Sequence, residues 1–259
     1  MVSTFSLAGM VFSLLLIFLV PIGLVIYFYL KEKIYLPSVL VGALVFLVFQ
    51  MLTRIQLINY FSTMAWFAEM AHSLVFLIFF YALSAGIFEE VGRYLGFKFV
   101  LKNHLCWKNG VAFGIGHGGF EAIALVGTTT INNLVTSIMI NAGTFDTMMA
   151  PQLGEMADYL KQILVETEPV MFFFVGIERM AALAVHIGLS ILVLYAVKKR
   201  KTFYLLAAII IHGIFNIPAV IYGPLNISIW FVQAYIIICA VISIILTRRA
   251  KPLIDNDSL

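Results

Sequence analysis

The sequence predicts an all-α fold, a polytopic transmembrane helical bundle of about seven to eight membrane-crossing helices in a single domain spanning residues 1–259. Three observations predict it. First, 63% of the 259 residues are hydrophobic and 11% are charged, with a mean hydropathy of +1.05. A water-soluble core cannot absorb that much apolar surface. Second, several runs reach the ~20 residues a helix needs to cross ~30 Å of hydrocarbon, and none alternates as the strands of an outer-membrane barrel do. Third, Lys and Arg gather in short clusters between the runs, where they fix orientation. The formal net charge of +3 is small and points to no nucleic acid. The partner it implies is the lipid bilayer, with the protein integral to the plasma membrane. Cys106 and Cys239 fall in a loop and a helix, which indicates neither a disulfide framework nor a thiolate metal site.

In chain order, the N-terminal Met-Val-Ser-Thr-Phe-Ser lacks the basic region and cleavage site of a signal peptide, so the first run stays as a helix. It spans about Ser6 to Leu30, with Pro21 as a kink, and ends at Lys31-Glu32-Lys33, a cytoplasmic signal. The second helix covers about Leu36 to Thr53. Arg54 to Met70 reads as a semi-polar interfacial stretch carrying Trp66. The third begins near His72, carries Glu89, Glu90 and Arg93 towards its end, and meets Lys98, Lys102 and Lys108. The fourth, from about Val111 to beyond Thr128, is rich in small residues that let helix backbones approach closely. Asn132 to Glu168 is acidic and reads as an outside segment, with Pro151 to Val165 an amphipathic surface helix. The fifth helix, about Val170 to Val197, ends at Lys198-Lys199-Arg200-Lys201, the strongest cytoplasmic signal in the chain. The sixth runs from Phe203 to Tyr222 and the seventh from Ile227 to Leu246, closed by Arg248, Arg249 and Lys251. An outside N-terminus and a cytoplasmic C-terminus satisfy every basic cluster. Trp66, Trp107 and Trp230 read as interfacial anchors, and Phe172-Phe173-Phe174 as lipid-facing surface.

Ionisable groups inside such helices are costly and mark function or a buried partner. At ~1.5 Å of rise per residue, Glu89 and Glu90 lie roughly 10–12 Å from the cytoplasmic end, His117 about 10 Å, and Glu121, His186 and His212 about 15–16 Å. Four helices therefore bring ionisable groups into one layer. Residues four apart share a helix face, which pairs Glu89 with Arg93, His117 with Glu121, and His212 with Asn216. Arg179 and His186 are nearly aligned, and Glu178 lies on a neighbouring angle, so Glu178 and Arg179 read as structural support.

Carboxylates and imidazoles facing one another in a low-dielectric pocket suit two chemistries. A Glu with a His partner can deprotonate a water that attacks a peptide carbonyl, while His and Asn donors stabilise the oxyanion. This route needs no cofactor. Alternatively, His117, His186, His212 and Glu89 can ligate Zn²⁺, which lowers the pKa of bound water to about 7. The zinc-protease order His-Glu-x-x-His is absent, and the residues alone leave both open.

Three short motifs fall in order on separate helices: Glu89-Glu90 with Arg93, Phe113 to His117, and His212 to Asn216. Together they resemble the CAAX prenyl endopeptidase and bacteriocin-processing superfamily, also called Abi proteins, and specifically its YhfC-like bacterial branch. The arginine of the first motif falls one residue early, with Tyr94 where the broader family has Arg. The resemblance covers about Phe88 to Asn216. It implies an intramembrane endopeptidase acting on a membrane-bound peptide or protein, in which Glu89 and His117 activate water and His212 and Asn216 polarise the scissile carbonyl. Glu90 and Arg93 would orient that first set, while Glu121 and His186, at the same depth by residue count, read as supporting groups. The YhfC-like branch is described as metalloproteases, which keeps zinc open beside the metal-free route.

Readings from other classes are a proton-coupled small-molecule transporter and a non-catalytic membrane scaffold, since intramembrane Glu and His also build proton relays. The absence of inverted repeats and of matched broken helices weighs against the transporter. Taken singly, a Glu–Arg pair near a helix end is a salt bridge and a lone His a packing residue. Their number in one layer is what favours chemistry.

Overall fold

The computed structural model describes residues 1–256, and among these seven helices are long and apolar enough to cross a membrane. They are Thr4–Glu32, Pro37–Ser62, Leu74–Val100, Trp107–Ala142, Met171–Lys198, Phe203–Ile221 and Ile229–Asp255, the first to seventh spans below. No strand occurs among the described residues, so the chain is an all-α polytopic membrane protein.

Three spans outrun their sequence bounds. The second continues past Thr53 because Arg54 is satisfied internally, its guanidinium donating to Ser84 Oγ (2.9 Å), the Tyr81 carbonyl (2.5 Å) and Gln50 Oε1 (3.2 Å). The fourth stays helical to Ala142, since the threonines after Gly127 return their hydroxyls to carbonyls four residues back and leave the helix intact. The seventh continues to Asp255, so Arg248, Arg249 and Lys251 sit on its last turns rather than beyond it. The outside segment is not one helix from Pro151: it comprises the turns Phe145–Met148 and Ala150–Leu153, a left-handed Gly154, and the helix Met156–Glu166.

One compact unit comprises Met1–Ile22 and Ala122–Met180. Its core joins Val2, Met10, Ile140, Phe145, Leu164 and Phe172. The Phe172 side chain is thus buried in this core, which corrects the expectation that all three phenylalanines face lipid. Ser13 fastens the core, donating to the Phe172 carbonyl (2.5 Å) and accepting from the Gly176 N–H (2.8 Å).

The other unit comprises Gly23–Glu121 and the chain from Ala181 onward. Its core gathers Val45, Phe97, Phe113, Ile115, Leu189 and Leu194. Trp107 belongs to this core too and donates from Nε1 to the Thr247 carbonyl at 2.7 Å, so it is a buried strut rather than an interfacial anchor. Trp66 and Trp230 are exposed.

Glycines set how close the helices of this unit come. A Cβ on Gly42 would strike the Phe113 carbonyl, and one on Gly116 the Val39 carbonyl, so the second and fourth spans meet backbone to backbone. A Cβ on Gly86 would lie 2.5 Å from the Ile209 carbonyl, and one on Gly118 would lie 3.0 Å from His186 Cβ. Small residues at crossings of this kind are how membrane helices reach van der Waals contact. Wide π turns at Phe46–Arg54, Ile78–Leu83 and Gly96–Val100 rotate the helix faces that follow them.

Candidate functional site

The glycine crossings deliver the polar layer of the third, fourth, fifth and sixth spans to one place. Gly86 admits the sixth span one turn before Glu89 and Glu90, and Gly118 admits the fifth one residue after His117. Glu89, Glu90, Arg93, His117, His186 and His212 are all buried and in mutual contact, and Glu121 joins them from the fourth span. The imidazole rings of His117 and His212 both neighbour that of His186, with centroids 5.3 and 5.5 Å away.

Glu89 lies at the centre. Its Oε2 accepts from His117 Nε2 at 2.9 Å and stands 3.9 Å from His186 Nδ1, 4.0 Å from His212 Nε2 and 3.6 Å from Arg93 Nη2. Both facing histidines are held by a carboxylate on their other nitrogen. His212 Nδ1 donates to Glu90 Oε1 at 2.6 Å, and His186 Nε2 lies 2.6 Å from Glu121 Oε2. Arg93 donates to Glu90 Oε1 and, from Nη2, to His186 Nδ1 at 2.6 Å. Because a guanidinium can only donate, His186 Nδ1 is the accepting nitrogen and Nε2 carries the proton.

The set fits a metal ion. Ligand atoms of Glu89, His186 and His212 all lie within 4.8 Å of one another. Donors 3.9 and 4.0 Å from the Glu89 oxygen, and all within 4.8 Å of one another, are somewhat wider apart than zinc ligands, so an ion would draw the three side chains inward. Two imidazoles and one glutamate form a ligand set that leaves a position open for water. The Glu90 and Glu121 carboxylates stand where partners of zinc-bound histidines stand, fixing ring orientation and tautomer. The Arg93 guanidinium reaches the same His186 nitrogen, so an arriving cation would have to displace one N–H.

Not every expected residue joins. His117 meets the Glu89–His186–His212 group through Glu89 rather than as a further donor within the same span of distances. The pairing of His117 with Glu121 gives way to Glu121 on His186. Asn216 is half-buried one turn beyond His212. Glu178 and Arg179 belong to the other unit, where they line a cavity of about 320 Å³ with Thr129, Thr130 and Asn133. The sequence reading passed over Arg54, which is buried and, among the described residues, hydrogen-bonded to neutral groups; Gln50, four residues earlier on the same face, was the available signal.

Comparison with known proteins adds three findings. Residues 16–237 match the model of the YhfC family, described as an intramembrane metalloprotease. The chain is similar to the uncharacterized membrane protein YhfC of Bacillus subtilis strain 168, 41% identical over 231 residues that cover 86% of this chain and 87% of the relative. No solved structure gives a significant match.

Proposed function

Because the chain belongs to the YhfC intramembrane metalloprotease family, we propose that it hydrolyses a peptide bond of a membrane-associated substrate at the Glu89 cluster. The observation that carries this reading is the convergence of Glu89, His186 and His212 inside the membrane-spanning helices, each histidine backed by its own carboxylate. Glu89, His186 and His212 would hold zinc. When bound, zinc supplies a Lewis acid and a water whose pKa is lowered towards 7.

The remaining chemistry belongs to the chain. Glu90 and Glu121 keep His212 and His186 turned towards Glu89, and His117 donates to the Glu89 oxygen that faces them. Glu121, whose side chain is 18% exposed while Glu90 is fully enclosed, takes the proton from the attacking water. The oxygen adds to the scissile carbonyl carbon, and the Asn216 amide, on the His212 face of its helix, donates to the oxyanion. Glu121 then returns the proton to the leaving amine as the C–N bond breaks. A cytoplasmic C-terminus would place this layer nearer the cytoplasmic surface.

The test is zinc content by mass spectrometry of purified protein, paired with terminal proteomics of membranes from cells carrying the wild type or Glu89→Gln. The reading expects about one zinc per chain, lost in Glu89→Gln and His212→Ala, and new protein termini near membrane segments only with the wild type. Identical termini in both strains would overturn it.

A further inference from the structure

A second cavity, of about 350 Å³, lies on the same unit, between the fifth, sixth and seventh spans. Its inner end is set by Val185 and Ile211, the residues just before His186 and His212, and by Gly188, where a Cβ would lie 3.1 Å from Ser243 Cβ. Its outer end is Tyr195, Tyr204 and Arg249. From Val185 to Tyr195 is ten residues of helix, about 15 Å along the membrane normal. Between the ends the wall is Leu, Ile and Ala with the small hydroxyl residues Ser243 and Thr247, and no carboxylate lines it.

The two ends differ in chemistry. The inner end is aliphatic, while the outer end lies among Lys198, Lys199, Arg200 and Lys201 on one side and Arg248, Arg249 and Lys251 on the other. Lys198 and Lys251 are engaged, with the Ile254 carbonyl and with Glu32. Arg249 is exposed and makes no ion pair among the described residues. Tyr195 and Tyr204 meet edge to face with centroids 5.0 Å apart, aromatic bodies of the kind that settle at headgroup depth.

We propose that this groove is a binding site for an anionic phospholipid, with one acyl chain along Leu189, Ile211 and Leu246 and the phosphate on Arg249. Charge complementarity selects this occupant. A zwitterionic lipid or an apolar transmembrane helix would fill the aliphatic part equally well, but only an anionic headgroup matches a guanidinium that has no ion pair among the described residues, at the end of a groove that no carboxylate lines. Because the groove wall shares two helices with His186 and His212, lipid occupancy would brace the helices that present them.

Native mass spectrometry of delipidated protein, mixed with equimolar phosphatidylglycerol and phosphatidylcholine, tests the site. Wild type is expected to retain one phosphatidylglycerol with at least about fivefold preference, the ratio one basic residue gives near an anionic headgroup. Arg249→Gln should bring the preference close to one. Leu246→Trp, at a position 58% exposed and therefore tolerant of the larger ring, should reduce retention of both lipids. Equal retention by wild type, or a preference unchanged in Arg249→Gln, would overturn the proposal. So would a concentration-dependent dimer dissolved by Leu246→Trp, which would assign the groove to a second copy. Zinc content is read on the same samples, so failure of the lipid site is distinguishable from failure of the peptidase reading.

Discussion

His117 Nε2 lies 2.9 Å from Glu89 Oε2, on the oxygen that also faces His186 and His212. A carboxylate steadied in this way is aimed as well as charged, and under the zinc reading that separates the role of His117 from those of the other two imidazoles.

His117→Ala should therefore weaken zinc affinity or cleavage by about 10–100-fold, the usual cost of losing a partner that orients a ligand, whereas His186→Ala should abolish stoichiometric zinc. Zinc titration of the purified variants checks this. Equal loss in both would make His117 a ligand in its own right.

Zinc should also stabilise the fold. At a free concentration about 100 times Kd, a ligand that binds only the native state adds about 2.7 kcal/mol. Thermal unfolding in detergent should show a higher midpoint with zinc than after chelation for the wild type, and no difference for Glu89→Ala.

Arg93 is fully buried and bonds Glu90 and His186 beside Glu89. Arg93→Ala leaves two neighbouring carboxylates without their cation, at a cost of about 3–5 kcal/mol. Adding Glu90→Gln should restore part of the lost unfolding midpoint, because one of the stranded charges is then gone. An unchanged midpoint in Arg93→Ala would contradict this account.

Gly116→Ala should destabilise by at least about 1–3 kcal/mol, the range for overpacking, because its new methyl collides with the Val39 carbonyl rather than a movable side chain. Gly23→Ala, with nothing within 4 Å of the added carbon, should be neutral or stabilising by up to about 1 kcal/mol. Parallel thermal unfolding of the two variants checks the contrast.

Reporter fusions check orientation. A C-terminal fluorescent protein should be bright and a C-terminal alkaline phosphatase inactive, as expected if Lys198–Lys201 and Arg248–Lys251 face the cytoplasm.

Much of this was legible in the sequence. Hydropathy and basic clusters bounded seven spans, and counting helical rise placed Glu89, Glu90, His117, Glu121, His186 and His212 at similar depth, where the structure gathers them. What counting cannot supply is rotation. Whether Glu121 meets His117 on its own helix or His186 on another depends on how the fourth span is turned, and that is fixed by Gly114 and Gly118 against Ile187 and His186. Arg54 was hidden for a different reason: it ends an apolar run, so it reads as interfacial until Tyr81 and Ser84 are seen accepting its hydrogen bonds. Trp107 and Phe172 misled because an aromatic at a helix end has the same composition signal whether it faces lipid or core.

The seam between Gly42 and Gly116 carries a consequence for traffic. Two helices in backbone contact have no slack: tilting either one drives main-chain atoms into each other, so the second and fourth spans behave as a fixed jamb. A polypeptide entering sideways from the bilayer cannot pass there.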